Sequence, residues 1–363
     1  RIYRLLVLIL ILASALSACK QAELILPSGE SGSLAVSAIP TGSPWPTDTA
    51  VSSMTATITP TLTLTPTSTL SPTPDPYAGL TIGDLTSRSF GGGELLMVQT
   101  LEEYTTFTRY LVSYPSDGLT IYGFMNLPRG TGPFPVIIAS HGYINPEIYN
   151  TLDYTTRYAD ELARAGFLVL HPNLRGYWPS DDGPNQFRVG MAIDVLNLIA
   201  HVKNQAGQPG PLEMADPEQI GLWGHSMGGG ISTRTMVVSR DVDAVVLYGA
   251  MSGDDQKNYE RIFHVFSEGQ RGQEELNAPA EALQRISPIN FLEQVQAAVS
   301  IHHGADDQEV PLEWSIDLCD RLQRLEKMVE CFTYPGQPHT FFGESDQLFI
   351  QRTIEFFDRQ LRD

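Results

Sequence analysis

The stretch "GLWGHSMGGG", Gly221 to Gly230, decides how this chain is read. Within it, Gly224-His225-Ser226-Met227-Gly228 fits the pattern G-x-S-x-G. An apolar run, "QIGLWG", precedes the serine and reads as a buried strand, while "SMGGGISTRTMVVS" reads as a helix beginning at the serine. A sharp strand-to-helix turn puts such a serine at the top of a sheet. Glycines flank it because side chains there would collide across the turn. The free N–H groups and positive dipole end of the helix then face any anion that forms beside the serine.

A serine hydroxyl becomes a nucleophile only when a base takes its proton, and the base needs a carboxylate to orient it. Where this turn carries the nucleophile, the acid and then the histidine follow in the chain. Of the eight histidines, His264, His302, His303 and His339 come after Ser226. His264 falls in a polar insertion, and His302 and His303 end a strand. His339, in "YPGQPHTFFG", follows a strand and precedes the final helix, so it is the expected base. For the acid, "HHGADDQEVP" offers Asp306, Asp307 and Glu309. The spacing of His302, His303, Asp306 and Asp307 matches no common zinc pattern, so no metal and no cofactor is expected.

Outward from the serine, strands and helices alternate from about residue 134 to the end. "FPVIIASHG", "FLVLHPNLRG", "VDAVVLYGA", "AAVSIHHG" and "VECFTYPG" are strands. Thr155–Gly166, Val189–Gln205, "PLEWSIDLCDRLQRLEK" and Asp346–Leu361 are helices. The strand runs are continuously apolar, the signature of a mostly parallel sheet covered by helices on both faces. Before them, Thr108 to Pro128 reads as two strands around a Ser116–Gly118 turn. The polar stretch 253–288 breaks the rhythm and is expected to be a small helical lid over the C-terminal edge of the sheet. Asp194, on an apolar helix, reads as a structural carboxylate.

The N-terminal region is not fold. Arg1 and Arg4 stand at the start of an apolar run, Leu5 to Leu12, with small residues and Cys19 beyond it, which is the layout of a secretory signal. The run is shorter than the roughly 20 apolar residues a membrane span needs. Residues 19–76 form an expected tether rich in Thr, Ser and Pro, as in "TPTLTLTPTSTLSPTPDP", which cannot offset its ordering entropy by burial. At about 3 Å per residue such a chain holds a domain well away from its anchor. Residues 77–107 read as an N-terminal extension and 108–363 as the main domain. The net charge of −19 argues against a nucleic-acid partner. Of the three cysteines, Cys319 and Cys331 are left either as a disulfide or as two free thiols, both permitted outside the cytoplasm.

Six segments carry a resemblance: "SHGY" (140–143), "RGYWPSDDG" (175–183), "GHSMGGG", "SPINFLEQV" (287–295), "HGADDQEVP" (303–311) and "PGQPHTF" (335–341). Together, over roughly two thirds of the chain, they resemble the α/β-hydrolase superfamily. More narrowly, they are similar to its prolyl-oligopeptidase and dienelactone-hydrolase-like branch. The resemblance implies an α/β-hydrolase fold, a nucleophile at Ser226, a base at His339, and Asp307 as the acid through its D-x-x-V-P pattern. It implies an oxyanion hole made by the N–H groups of Met227 and Tyr143. Residues 16–19, Leu-Ser-Ala-Cys, resemble a bacterial lipoprotein box, which implies cleavage after residue 18 and lipidation of Cys19. The expectation is an extracytoplasmic, lipid-anchored serine hydrolase acting on small esters, touching the membrane through its lipid alone. A peptidase with the same machinery is one alternative, and a binding protein on a hydrolase scaffold is another. The segment 77–107 is far too short for the β-propeller of oligopeptidases. Trp178 replaces the usual glycine in R-G-x-G-x-S. Trp178, Tyr143 and Phe341 line an acyl pocket or serve as core and rim packing.

Overall fold

A computed structural model describes residues 75–362. The signal segment, Cys19 and nearly all of the tether lie outside the described residues. Helix α1 (Ile82–Ser87) comes first, closed by a capping box between Thr81 and Asp84. Strands β1 (Leu96–Glu103), β2 (Phe107–Ser116), β3 (Leu119–Pro128) and β4 (Phe134–Ser140) follow. Then come α2 (Thr156–Arg164), β5 (Leu168–Pro172), α3 (Val189–Gln205), β6 (Ala215–His225), α4 (Met227–Val238) and β7 (Ala244–Tyr248). Residues 253–288 hold three short helices, α5 (Asp255–Arg261), α6 (Gln273–Leu276) and α7 (Ala280–Ile286), with a π turn at Ile262–Phe266. The chain ends with β8 (Ala298–Gly304), α8 (Leu312–Arg324), β9 (Val329–Tyr334) and α9 (Gly343–Leu361).

The nine strands of the described residues form one sheet in the order β1-β2-β3-β5-β4-β6-β7-β8-β9. The first three and the β3–β5 pair are antiparallel, and everything from β5 to β9 is parallel. The parallel part matches the continuous apolar runs, because β4, β5, β7 and β8 are covered on both faces. Successive residues of β4 feed two separate core layers, Val136 and Ile138 into one and Ile137 and Ala139 into the other. The first layer packs α1, α3, α4 and α8, the second α2 and α9. Each such aliphatic side chain contributes about 1.5–3 kcal/mol by leaving water.

Two buried ion pairs fix the segments that surround the site. Arg175, after β5, meets Asp194 on α3 at 2.8 Å, with the carboxylate fully shielded. Asp194 also accepts the backbone N–H of Arg175 at 2.9 Å and the Ser116 hydroxyl at 2.7 Å, so the expected structural role is what it performs. Arg234 on α4 meets Asp255 on α5 at 2.7 Å and donates to the Ile286 carbonyl at 2.6 Å, which pins the helical insertion onto the body. Breaking such a buried pair from one side costs about 3–5 kcal/mol, because the other charge stays behind. Cys319 and Cys331 are joined by a disulfide linking α8 to β9.

Candidate active site

Ser226 sits between β6 and α4 with φ 56° and ψ −116°, a conformation costly for any residue with a Cβ. The surroundings hold it there. The Ser226 N–H donates to the Tyr248 carbonyl at 3.0 Å, and its own carbonyl accepts from Met251 and Gly230 at 3.0 and 3.2 Å. The flanking glycines prove obligatory. A Cβ at Gly224 would lie 2.4 Å from the Gly228 carbonyl oxygen, and one at Gly228 would lie 2.1 Å from that of Ser140. Met227 opens α4, so its N–H has no intrahelical carbonyl to meet.

His339 lies in the loop after β9, as its sequence context suggested. Its Nδ1 meets Asp307 Oδ2 at 2.7 Å, and the Asp307 side chain is fully shielded. Burial alone would push the Asp307 carboxyl up. Hydrogen bonds from His303 and His339, the charge of His339 and the Val310 N–H more than offset it and hold the group well below the usual carboxylate range. An ionised Asp307 accepts the hydrogen bond of His339 Nδ1–H and so leaves Nε2 as the nitrogen with its lone pair free. Of the other candidate acids, Asp306 is exposed. Glu309 stands on the far side of the imidazole, its carboxylate 3.7 Å from His339 Nε2 and largely in solvent.

Several contributors were not legible as site residues. His303, read as a satisfied strand end, reaches Asp307 Oδ2 at 3.2 Å through Nε2 and is itself held by Ser315 at 2.6 Å. Gly249, with φ 48°, leaves the space that His339 fills, since a Cβ there would be 3.1 Å from Nδ1. His225 is buried beside the imidazole, ring centroids 4.5 Å apart, and burial together with the charge of His339 pushes it down to about 3.

Ser226, Met227, His339 and Tyr143 all line one cleft of 860 Å³. Tyr143 follows the β4 strand, and its hydroxyl accepts a hydrogen bond from Arg271 of the insertion at 2.6 Å. Gly142, next to it, packs closely on the serine, for a Cβ at Gly142 would lie 3.1 Å from that of Ser226. The insertion forms the opposite wall through Tyr259, Ile262 and Phe266. Its Arg261 donates to the Gln308 carbonyl at 2.6 Å and to that of Glu309, which ties the insertion to the loop carrying Asp307. Phe341 is buried in an aromatic cluster with Tyr248, Tyr334 and Phe349, and Trp178 is 77% exposed, so neither lines the cleft.

The model of the prolyl oligopeptidase family matches residues 197–363, the part that holds Ser226, Asp307 and His339. The uncharacterized peptidase YtmA of Bacillus subtilis (strain 168) is 21% identical over 253 residues, covering 68% of this chain and 92% of that protein. Acetyl xylan esterase 1 from Thermoanaerobacterium sp. JW/SL YS485 superposes with a TM-score of 0.56 at 19% identity, covering 73% of this chain and 88% of its own. The acylaminoacyl peptidase of Pyrococcus horikoshii gives a TM-score of 0.55 at 21% identity, over 72% of this chain and 43% of that one. The fold of this protein is therefore the α/β-hydrolase fold, a large central sheet between two layers of helices, and its C-terminal part matches the prolyl oligopeptidase family.

Proposed function

We propose that this protein is a serine hydrolase that cleaves carboxylic esters through Ser226, His339 and Asp307. The observation that carries the reading is the strained Ser226 turn in the same cleft as a buried His339–Asp307 pair at 2.7 Å. Ser226 Oγ attacks the ester carbonyl while His339 Nε2 removes its proton. Asp307 keeps the imidazole in the tautomer that can do so and stabilises its charged form. The N–H groups of Met227 and Tyr143 receive the oxyanion. His339 returns the proton to the departing alcohol. The same imidazole then activates water, which releases the acid from the acyl-enzyme.

Peptide cleavage by the same residues is the second reading, favoured by the match to the prolyl oligopeptidase family. In favour of esters, the described residues ahead of β2 form only α1 and β1. Turnover of a panel of p-nitrophenyl esters beside aminoacyl and prolyl p-nitroanilides separates the two. Ester-only turnover supports the proposal, and faster amide turnover overturns it. Lipid attachment at Cys19 and an extracytoplasmic place are part of the same proposal and rest on the N-terminal sequence. Metabolic labelling with an alkyne fatty acid, lost in Cys19→Ala, tests them.

A further inference from the structure

His225 lies inside the serine motif, yet the mechanism above gives it nothing to do. Its hydrogen bonds show what it joins. Nε2 meets the backbone carbonyl of His339 at 3.0 Å, and Nδ1 meets the Tyr154 hydroxyl at 2.7 Å. A carbonyl can only accept, so Nε2 carries the proton and Nδ1 is the acceptor. Tyr154 must then donate its O–H to Nδ1, and its oxygen accepts the Gly142 N–H at 3.0 Å. The Tyr154 hydroxyl thus both donates and accepts, and each nitrogen of the His225 ring has a partner. The ring is 2% exposed, and burial keeps it neutral.

The chain Gly142, Tyr154, His225, His339 therefore spans the cleft floor from one working loop to the other. One end fixes Gly142, whose N–H is taken by Tyr154, and with it the loop that carries Tyr143 past Ser226. The other end fixes the backbone of the base. We infer that His225 and Tyr154 are positioning residues that hold the Tyr143 N–H and the His339 imidazole in register about Ser226. The inference deepens the hydrolase reading and rests on it. A displacement of about 1 Å at a reacting group costs up to about 100-fold in rate. The loss falls on the transition state, because the groups displaced are those that meet the developing oxyanion and the moving proton.

Tyr154→Phe removes one oxygen and breaks the chain at its middle. On p-nitrophenyl acetate it should lower kcat about 10- to 100-fold while KM stays within about threefold. The affinity for a trifluoromethyl ketone, which forms the tetrahedral oxyanion adduct, should weaken in parallel. His225→Phe should do at least as much. His225→Gln keeps an N–H for the His339 carbonyl and an oxygen for Tyr154, and should recover most of the loss. Unchanged kcat and inhibitor affinity in Tyr154→Phe would overturn the inference, as would equal impairment of His225→Phe and His225→Gln. If His225→Phe does not fold, the tyrosine variant and the glutamine variant still decide. Failure of the hydrolase reading looks different: wild type and Ser226→Ala would take up a fluorophosphonate probe equally, and the inference would fall with it.

Discussion

His171, His225 and His302 are each 2% exposed or less, and burial, the largest cause in each case, pushes each down to about 3. The charges of His141, His339 and Arg352, respectively, act in the same direction. For His302 the hydrogen bonds say the same. Ser300 gives its proton to Glu330 at 3.0 Å and so accepts from His302 Nε2 at 2.9 Å, leaving Nδ1 to accept from Tyr334 at 2.8 Å. In the unfolded chain each imidazole returns to its ordinary value of 6.5. Between 6.5 and about 3 the unfolded state therefore binds protons that the folded state refuses. This stability is fully present above pH 6.5 and is lost as the pH falls. From pH 7 to pH 5 the loss is about 1.9 kcal/mol per histidine, or about 6 kcal/mol for the three. Asp307, held low in the fold, acts in the same direction only below its ordinary 3.8, outside that window. Against a typical domain stability of about 5–15 kcal/mol, a loss of this size is decisive. Urea unfolding followed by far-UV circular dichroism at pH 7, 6 and 5 measures it. His302→Gln should flatten the slope by about one proton, roughly 1.4 kcal/mol per pH unit. A change below about 2 kcal/mol between pH 7 and pH 5, or an unaltered slope in the variant, would refute the reasoning.

Asp307→Asn should cut kcat by about three to four orders of magnitude with little change in KM, measured on p-nitrophenyl acetate, because the amide holds the wrong tautomer of His339. Gly228→Ala should destabilise the domain by about 1–3 kcal/mol and abolish probe labelling, since its Cβ meets the backbone oxygens of Ser140, the last residue of β4, and of His141 after it. Thermal melts and fluorophosphonate labelling read both effects. Removing the disulfide by Cys319→Ser with Cys331→Ser frees a loop with a sequence separation of 12 and should cost about 3 kcal/mol in urea unfolding. The same variant should still label, because the bridge joins α8 to β9 away from the cleft lining.

The parallel half of the sheet was legible because β4, β5, β7 and β8 and the second half of β6 are largely apolar runs buried on both faces. Asp307 and His339 meet at the end of the sheet where Ser226 stands because the chain returns to that end after every parallel strand. Strand β1 gave no signal. Most of its residues are exposed, and it is a strand only because β2 offers it a ladder. The last helix begins at Gly343, three residues before the apolar periodicity starts, since its first turn is acidic and partly solvated. The disulfide could not be read from spacing, because it depends on α8 and β9 placing two Cα atoms 6.5 Å apart. His225, Tyr154 and His303 escaped notice for a related reason. Tyr154 and His225 bond to a residue distant in sequence or to a backbone carbonyl, and His303 meets Asp307 only because the turn after β8 folds the carboxylate back onto the strand end; none of these contacts leaves a pattern in the chain.

The nucleophile itself is the central claim, and intact-protein mass spectrometry after fluorophosphonate treatment tests it most directly. The wild-type protein should gain one adduct, located by peptide mapping to Ser226, and Ser226→Ala should gain none. An adduct of equal yield in Ser226→Ala, or ester turnover by a wild-type protein that never labels, would contradict the assignment.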